Sequence, residues 1–151
     1  MTIYVKNKDT LIIDDFTIKC CVGKNGISSR KKEGDYCTPK GLFNLNKLYF
    51  RKDRVGNIKC KIKKKKITKN IAWCDDPKNA KYNQEIKTIT KNHKENFYRK
   101  DNKYDYLISI DYNNKNVPNK GSAIFLHLTE NYNPTAGCIA VKKKDFEIIL
   151  K

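Results

Sequence analysis

Two histidines and six cysteines are the residues of this 151-residue chain whose side chains could act as nucleophile and base or hold a metal. The cysteines stand at 20, 21, 37, 60, 74 and 138 and the histidines at 93 and 127, with no CxxC pair and no Cys/His spacing that builds a tetrahedral zinc site. No metal and no other cofactor is expected. A thiol attacks as thiolate, so it needs a base or a cation within reach. His127 and Cys138 are the pair that fits. In Ala123-Ile124-Phe125-Leu126-His127-Leu128 the two-residue period of a strand puts His127 on the face of Ala123 and Phe125, with Ile124, Leu126 and Leu128 opposite. Eleven positions on, Thr135-Ala136-Gly137-Cys138 leads into the apolar run Ile139-Ala140-Val141. Gly137 lets the backbone approach a bound carbonyl with no Cβ in the way, and the N–H of Cys138 with a neighbour could form an oxyanion site. By spacing alone the bland alternative stays open: a small core cysteine, and a strand histidine satisfied by a backbone carbonyl.

Such a pair must sit on adjacent strands, and the chain reads as mainly β. Residues 2–6, 10–14 and 16–22 are short β-type runs separated by turn residues, a meander. A loop rich in Gly, Ser and charge fills residues 23–40, long enough to be functional, and an extended segment restarts at Gly41 and reaches about Phe50. Residues 57–68 alternate loosely and form a lysine-rich strand, whose charges discourage edge pairing. Residues 73–84 read as irregular. In residues 104–112 the apolar side chains fall mainly on even positions, the period of a strand with one face buried. Residues 122–128 are a second strong strand, and residues 143–150 place Phe146, Ile149 and Leu150 at helical spacing, a short closing helix.

The length fits one domain spanning residues 1–151, because two cores would each be too small to offset the entropy of folding. No apolar run reaches a spanning length, and the start Met1-Thr2-Ile3-Tyr4-Val5-Lys6 lacks the features of a secretory signal, so no membrane insertion and a cytoplasmic location are expected. Reduced thiols follow from that compartment. The formal charge of +17 invites a nucleic-acid reading, with the Cys and His purely structural. Against it, the bases are almost all Lys, with Arg only at 30, 51, 54 and 99, and residues 59–69 hold no aromatic on which a base could stack. That run reads as a solvated face.

Phe125-Leu126-His127 followed by Thr135-Ala136-Gly137-Cys138 resembles the signature of the L,D-transpeptidase catalytic domain, or YkuD, family: His, a loop, then Ser or Thr, any residue, Gly, Cys. Thr38-Pro39-Lys40-Gly41-Leu42-Phe43 resembles the Thr-Pro-x-Gly-x-Phe block found upstream in the same family, where a glycine loop like residues 22–26 precedes it. Further likeness to a short, signal-less branch lies in residues 30–35, Trp73-Cys74-Asp75-Asp76-Pro77, Tyr82-Asn83 and residues 121–127. The resemblance implies two packed mixed sheets, a β-sandwich with a short C-terminal helix, acting as a monomer on peptidoglycan stem peptides or muropeptides. It implies that Cys138 is the nucleophile, His127 the base, and Gly137 with Cys138 the oxyanion donors, with Thr135 shaping the loop or orienting His127. The thiolate attacks the third residue of a tetrapeptide stem, expels D-alanine and leaves a thioester that water or an amine resolves. Most members carry Arg two residues after the nucleophile, where this chain has Ala140. Arg30 and Lys142 are the candidates for the missing substrate-binding cation, and His93 is a candidate for lining the cleft. Trp73, Asp75 and Asp76 read either as a substrate wall or as a buried Trp followed by a turn.

Overall fold

The computed structural model describes residues 2–87 and 94–151. Eight strands form one mixed sheet: β1 (Ile3–Val5), β2 (Thr10–Ile13), β3 (Phe16–Cys21), β6 (Leu45–Phe50), β7 (Lys63–Lys66), β11 (Tyr106–Ile110), β12 (Phe125–Leu128) and β13 (Ile139–Val141). Their spatial order is β1-β2-β3-β13-β12-β11-β6-β7, with β12/β13 and β6/β7 parallel and the other pairs antiparallel. β8 (Ile71–Cys74), β9 (Glu85–Lys87) and β10 (Lys94–Asn96) form an antiparallel sheet in the order β10-β8-β9, and β4 (Ile27–Ser28) pairs with β5 (Thr38–Pro39). A four-residue helix, α1 (Lys52–Val55), follows β6, and α2 (Lys143–Ile149) closes the chain. The mainly β architecture with several sheets and a short C-terminal helix agrees with the sequence reading. The second sheet is the smaller and is purely antiparallel. Among the described residues, no helix is long and apolar enough to cross a membrane.

Each face of the large sheet has its own core. Leu48, Ile108, Leu126, Leu128 and Val141 pack on one face with Phe146 and Ile149 of α2, and Phe146 stacks on Tyr106 with ring centroids 5.3 Å apart. Tyr49, Leu107 and Phe125 point the other way, toward Ile71, Phe97 and Tyr104. Phe97, fully buried, is the hub there, edge-on to Tyr49 at 4.9 Å and to Phe125 at 5.4 Å. Burying such a ring contributes about 2–3 kcal/mol. Cys138 packs against this second cluster.

Several element expectations shift for identifiable reasons. β11 is buried on both faces, with Leu107 in the second cluster and Ser109 also buried, so its alternation reflects residue type more than exposure. Within residues 73–84, Trp73 and Cys74 belong to β8; its run Ile71-Ala72-Trp73-Cys74 is short and mostly buried, and offers no period to read. The lysine strand is confined to Lys63–Lys66 at the sheet edge, while Ile58, Cys60 and Ile62 pack against the core outside any strand. β12 begins only at Phe125, because Ala123 adopts a left-handed backbone with φ of 55°.

Candidate active site

Because β13 runs parallel to β12, the chain must return across the sheet end between them, and residues 129–138 make that return. His127 pairs in register with Ala140. Cys138 lies two positions before Ala140, so the pleat turns both toward the same face as His127. Cys138, Ala140 and His127 all line one cavity of about 470 Å³, walled by the return loop, by residues of the 31–36 segment and by residues 99–104.

Three sequence blocks converge to fix the cysteine. Thr38 Oγ1 accepts the Gly23 N–H at 2.9 Å and donates to Gly137 O at 2.8 Å. Thr135 Oγ1 accepts the Gly137 N–H at 3.1 Å and donates to Cys138 O at 2.6 Å. Thr135 also joins the backbone beside Gly23, its N–H donating to Val22 O and its carbonyl accepting the Lys24 N–H, both at 2.9 Å. Two threonine hydroxyls thus clasp the Gly137–Cys138 peptide from both sides. Gly137 has φ of 140°, and a Cβ there would stand 2.8 Å from Cys37 O. Its N–H donates to Thr135 Oγ1, and Gly137 is not among the residues that line the cavity. Its role is to permit the turn; the N–H of Cys138 is the remaining donor of that peptide pair.

His127 is buried, 7% exposed, and its Nδ1 lies 2.9 Å from Leu128 O. A carbonyl only accepts, so Nδ1 carries the proton and Nε2 is left with a lone pair. Burial dominates its titration and, with the nearby cations Lys103 and Arg99, lowers the pKa to about 4. The Cys138 thiol, donating to Ala123 O at 3.3 Å, is pushed up to about 12, chiefly by burial, while the Phe125 backbone N–H and Lys31 pull the other way. Between these limits both groups are neutral, so an attack by this thiol would require the imidazole to take its proton. Proton uptake below pH 4 removes the base, and the thiol ionises only near pH 12. The expected kcat/KM profile therefore falls on the acid side with an apparent pKa near 4 and is flat through neutrality. Limbs near the ordinary values of about 6.5 and 8.5 would contradict this neutral pair.

The Ala123 carbonyl facing the thiol is held by a residue far away in sequence. Asn83 is buried; its Oδ1 accepts the Ala123 N–H at 3.1 Å and the Trp73 Nε1–H at 2.9 Å, and its Nδ2 donates to Tyr112 O and Asn113 O, each at 3.0 Å. All four capacities of the amide are used. Asn83→Ala strands four part-buried partners, so a loss of about 2–4 kcal/mol is expected, together with a lower kcat as Ala123 relaxes. Thermal melting and steady-state rates on the same sample check both parts. Near the cavity rim, Glu33 accepts from Tyr82 Oη and, at 2.8 Å, from Ser122 Oγ.

The remaining expected residues scatter. Arg30 and Lys142 do not line the cavity: Arg30 is exposed, and the Lys142 ammonium sits 5.5 Å from the Tyr132 ring centroid. The cations that do line it are Lys31, Arg99 and Lys103. His93 lies outside the described residues. Asp75 lines the cavity, whereas Asp76 caps a turn by accepting the Lys78 N–H at 2.9 Å, and Trp73 belongs to the second core. Sequence reasoning missed Tyr104, whose ring meets His127 edge-on at 5.3 Å, and Glu95, which accepts from Tyr104 Oη at 2.7 Å. Burial raises the Glu95 carboxyl above the usual carboxylate range. Neither residue belongs to a motif, and each reaches the site only through tertiary packing.

No curated protein and no solved structure matches the chain. A family model for the L,D-transpeptidase catalytic domain, YkuD, matches residues 1–151, the whole chain. Its His and Cys blocks fold onto neighbouring strands around one cavity, and the chain belongs to the YkuD family of L,D-transpeptidase catalytic domains.

Proposed function

We propose that this chain is a cysteine acyl-transfer enzyme acting on the tetrapeptide stems of peptidoglycan. The observation that carries the reading is the pairing of Cys138 with His127 in one cavity, with the imidazole tautomer set by Leu128 O so that Nε2 is free to take a proton. In the proposed reaction Nε2 removes the thiol proton while Sγ attacks the carbonyl of the third stem residue. The oxyanion is met by the Cys138 N–H. Collapse breaks the bond to terminal D-alanine, whose nitrogen takes the proton from His127, and a thioester to Cys138 remains. Water or an amine then attacks the thioester, with His127 again as base.

The acceptor follows the compartment. Soluble muropeptides return to the cytoplasm and polymeric wall does not, so there water is the acceptor and the enzyme an L,D-carboxypeptidase that trims tetrapeptides to tripeptides. Outside, an amine acceptor gives 3-to-3 cross-links. Incubating the protein with a disaccharide tetrapeptide, with and without a D-amino acid, and weighing the products separates these outcomes. Loss of D-alanine with water addition marks a carboxypeptidase, and exchange or dimer formation a transpeptidase. Absence of any Cys138-dependent product overturns the proposal.

A further inference from the structure

Ala140 gives the cavity a methyl group two residues after Cys138, and three cations from other elements, Lys31, Arg99 and Lys103, line the same space. Two are already committed. Lys31 pairs with Asp35 at 2.5 Å and also donates to Lys32 O. Arg99 holds Asp101 through Nε at 2.9 Å and Nη2 at 2.6 Å, and its Nη1 faces Glu95 at 3.4 Å. Lys103 differs. Its side chain is exposed on the cavity wall, and its ammonium has no ion-pair partner among the described residues. Its backbone is pinned beside the base: Lys103 O accepts the Leu128 N–H at 3.0 Å, and its own N–H is held by Asp101 Oδ1 at 3.1 Å.

On the proposed acyl transfer, which this inference rests on, the departing nitrogen must come within about 3 Å of His127 Nε2 to be protonated. The carboxyl carbon of a terminal amino acid lies two bonds from that nitrogen, about 2.5 Å away. The carboxylate of the leaving residue is thereby confined to the part of the cavity next to His127. We infer that Lys103 binds the terminal carboxylate of the leaving amino acid and makes the enzyme selective for stem peptides ending in a free acid. The positive charge that lowers the His127 pKa comes from this same side, so a carboxylate bound there also offsets the repulsion that disfavours imidazolium as the proton is taken up.

The test compares one tetrapeptide as free acid and as C-terminal carboxamide, with wild type, Lys103→Met and Lys103→Arg. Wild type is expected to prefer the acid in kcat/KM by about tenfold, the size of a charge-assisted hydrogen bond at a partly exposed site. Lys103→Met should collapse that preference toward unity, and Lys103→Arg should retain most of it. If Lys103→Met slows both peptides alike, the lysine acts only through its field on His127 or through the fold, and the inference fails. A preference that survives in Lys103→Met also overturns it. If wild type processes neither peptide, the acyl-transfer reading itself falls and the inference with it.

Discussion

On the proposed acyl transfer, Cys138→Ala is expected to fold as wild type does and to lose turnover by about 10⁴-fold or more, because the variant lacks the thiol that would carry the acyl group. The folding half of that expectation rests on geometry. The thiol donates to Ala123 O at 3.3 Å, and the main chain around it is held by Thr38 and Thr135 rather than by the thiol. His127→Ala should cost nearly as much. With the thiol pushed up to about 12, the unassisted thiolate fraction at neutral pH is negligible, so in the proposed reaction the sulfur would need the imidazole to take its proton. The double variant should be no slower than the worse single one, since the two residues act as a unit. Circular dichroism and steady-state rates on the three variants check this; full additivity would mean that the residues do not act together.

Gly137→Ala should be the most damaging change that leaves both reacting side chains in place. A methyl group there meets Cys37 O at 2.8 Å, backbone against backbone, while φ of 140° strains any residue with a Cβ. Relief requires the Gly137–Cys138 peptide to move away from Thr38 and Thr135, and the thiol moves with it. A displacement near 1 Å costs about 10²-fold in rate, and strain with contact loss costs about 2–3 kcal/mol in stability. For a domain of this size that lowers Tm by roughly 5–10 °C. Gly56→Ala is the control. Gly56 also has positive φ, 71°, with ψ of −147°, but a Cβ there meets nothing within 4 Å and the residue does not line the cavity, so backbone strain should lower stability while the rate holds.

The loop that leads into Cys138 was legible in the sequence because its parts are backbone devices with fixed residue demands. A glycine is needed where Cys37 O crowds the turn, the Thr38 hydroxyl ties its own block to Gly137 O across 99 positions of chain, and the Thr135 hydroxyl closes the local turn onto Gly137 and Cys138. The strand edges of the meander and the closing helix were legible for a similar reason, since Ile18, Phe146 and Ile149 follow a local period. β8 was not, because its residues face neighbours on both sides and carry no alternation. The cations were the other failure. Arg30 and Lys142 are close in sequence to motif residues, but proximity along the chain does not fix which way a long side chain points. Lys103 and Arg99 line the same cavity as His127, and Lys103 O accepts the Leu128 N–H at the strand end, a contact with no sequence mark. Asn83 holds Ala123 by the same kind of long-range bond.

Intact-protein mass spectrometry during turnover tests the assignment of Cys138 most directly. Mixed with a stem tetrapeptide and quenched in acid within the first turnovers, the protein is expected to gain the mass of the tripeptide less one water, and peptide mapping should place that acyl group on Cys138. The adduct should vanish in Cys138→Ala. An acyl group mapped to Cys37 or Cys74, or product formed by Cys138→Ala at the wild-type rate, would contradict the assignment.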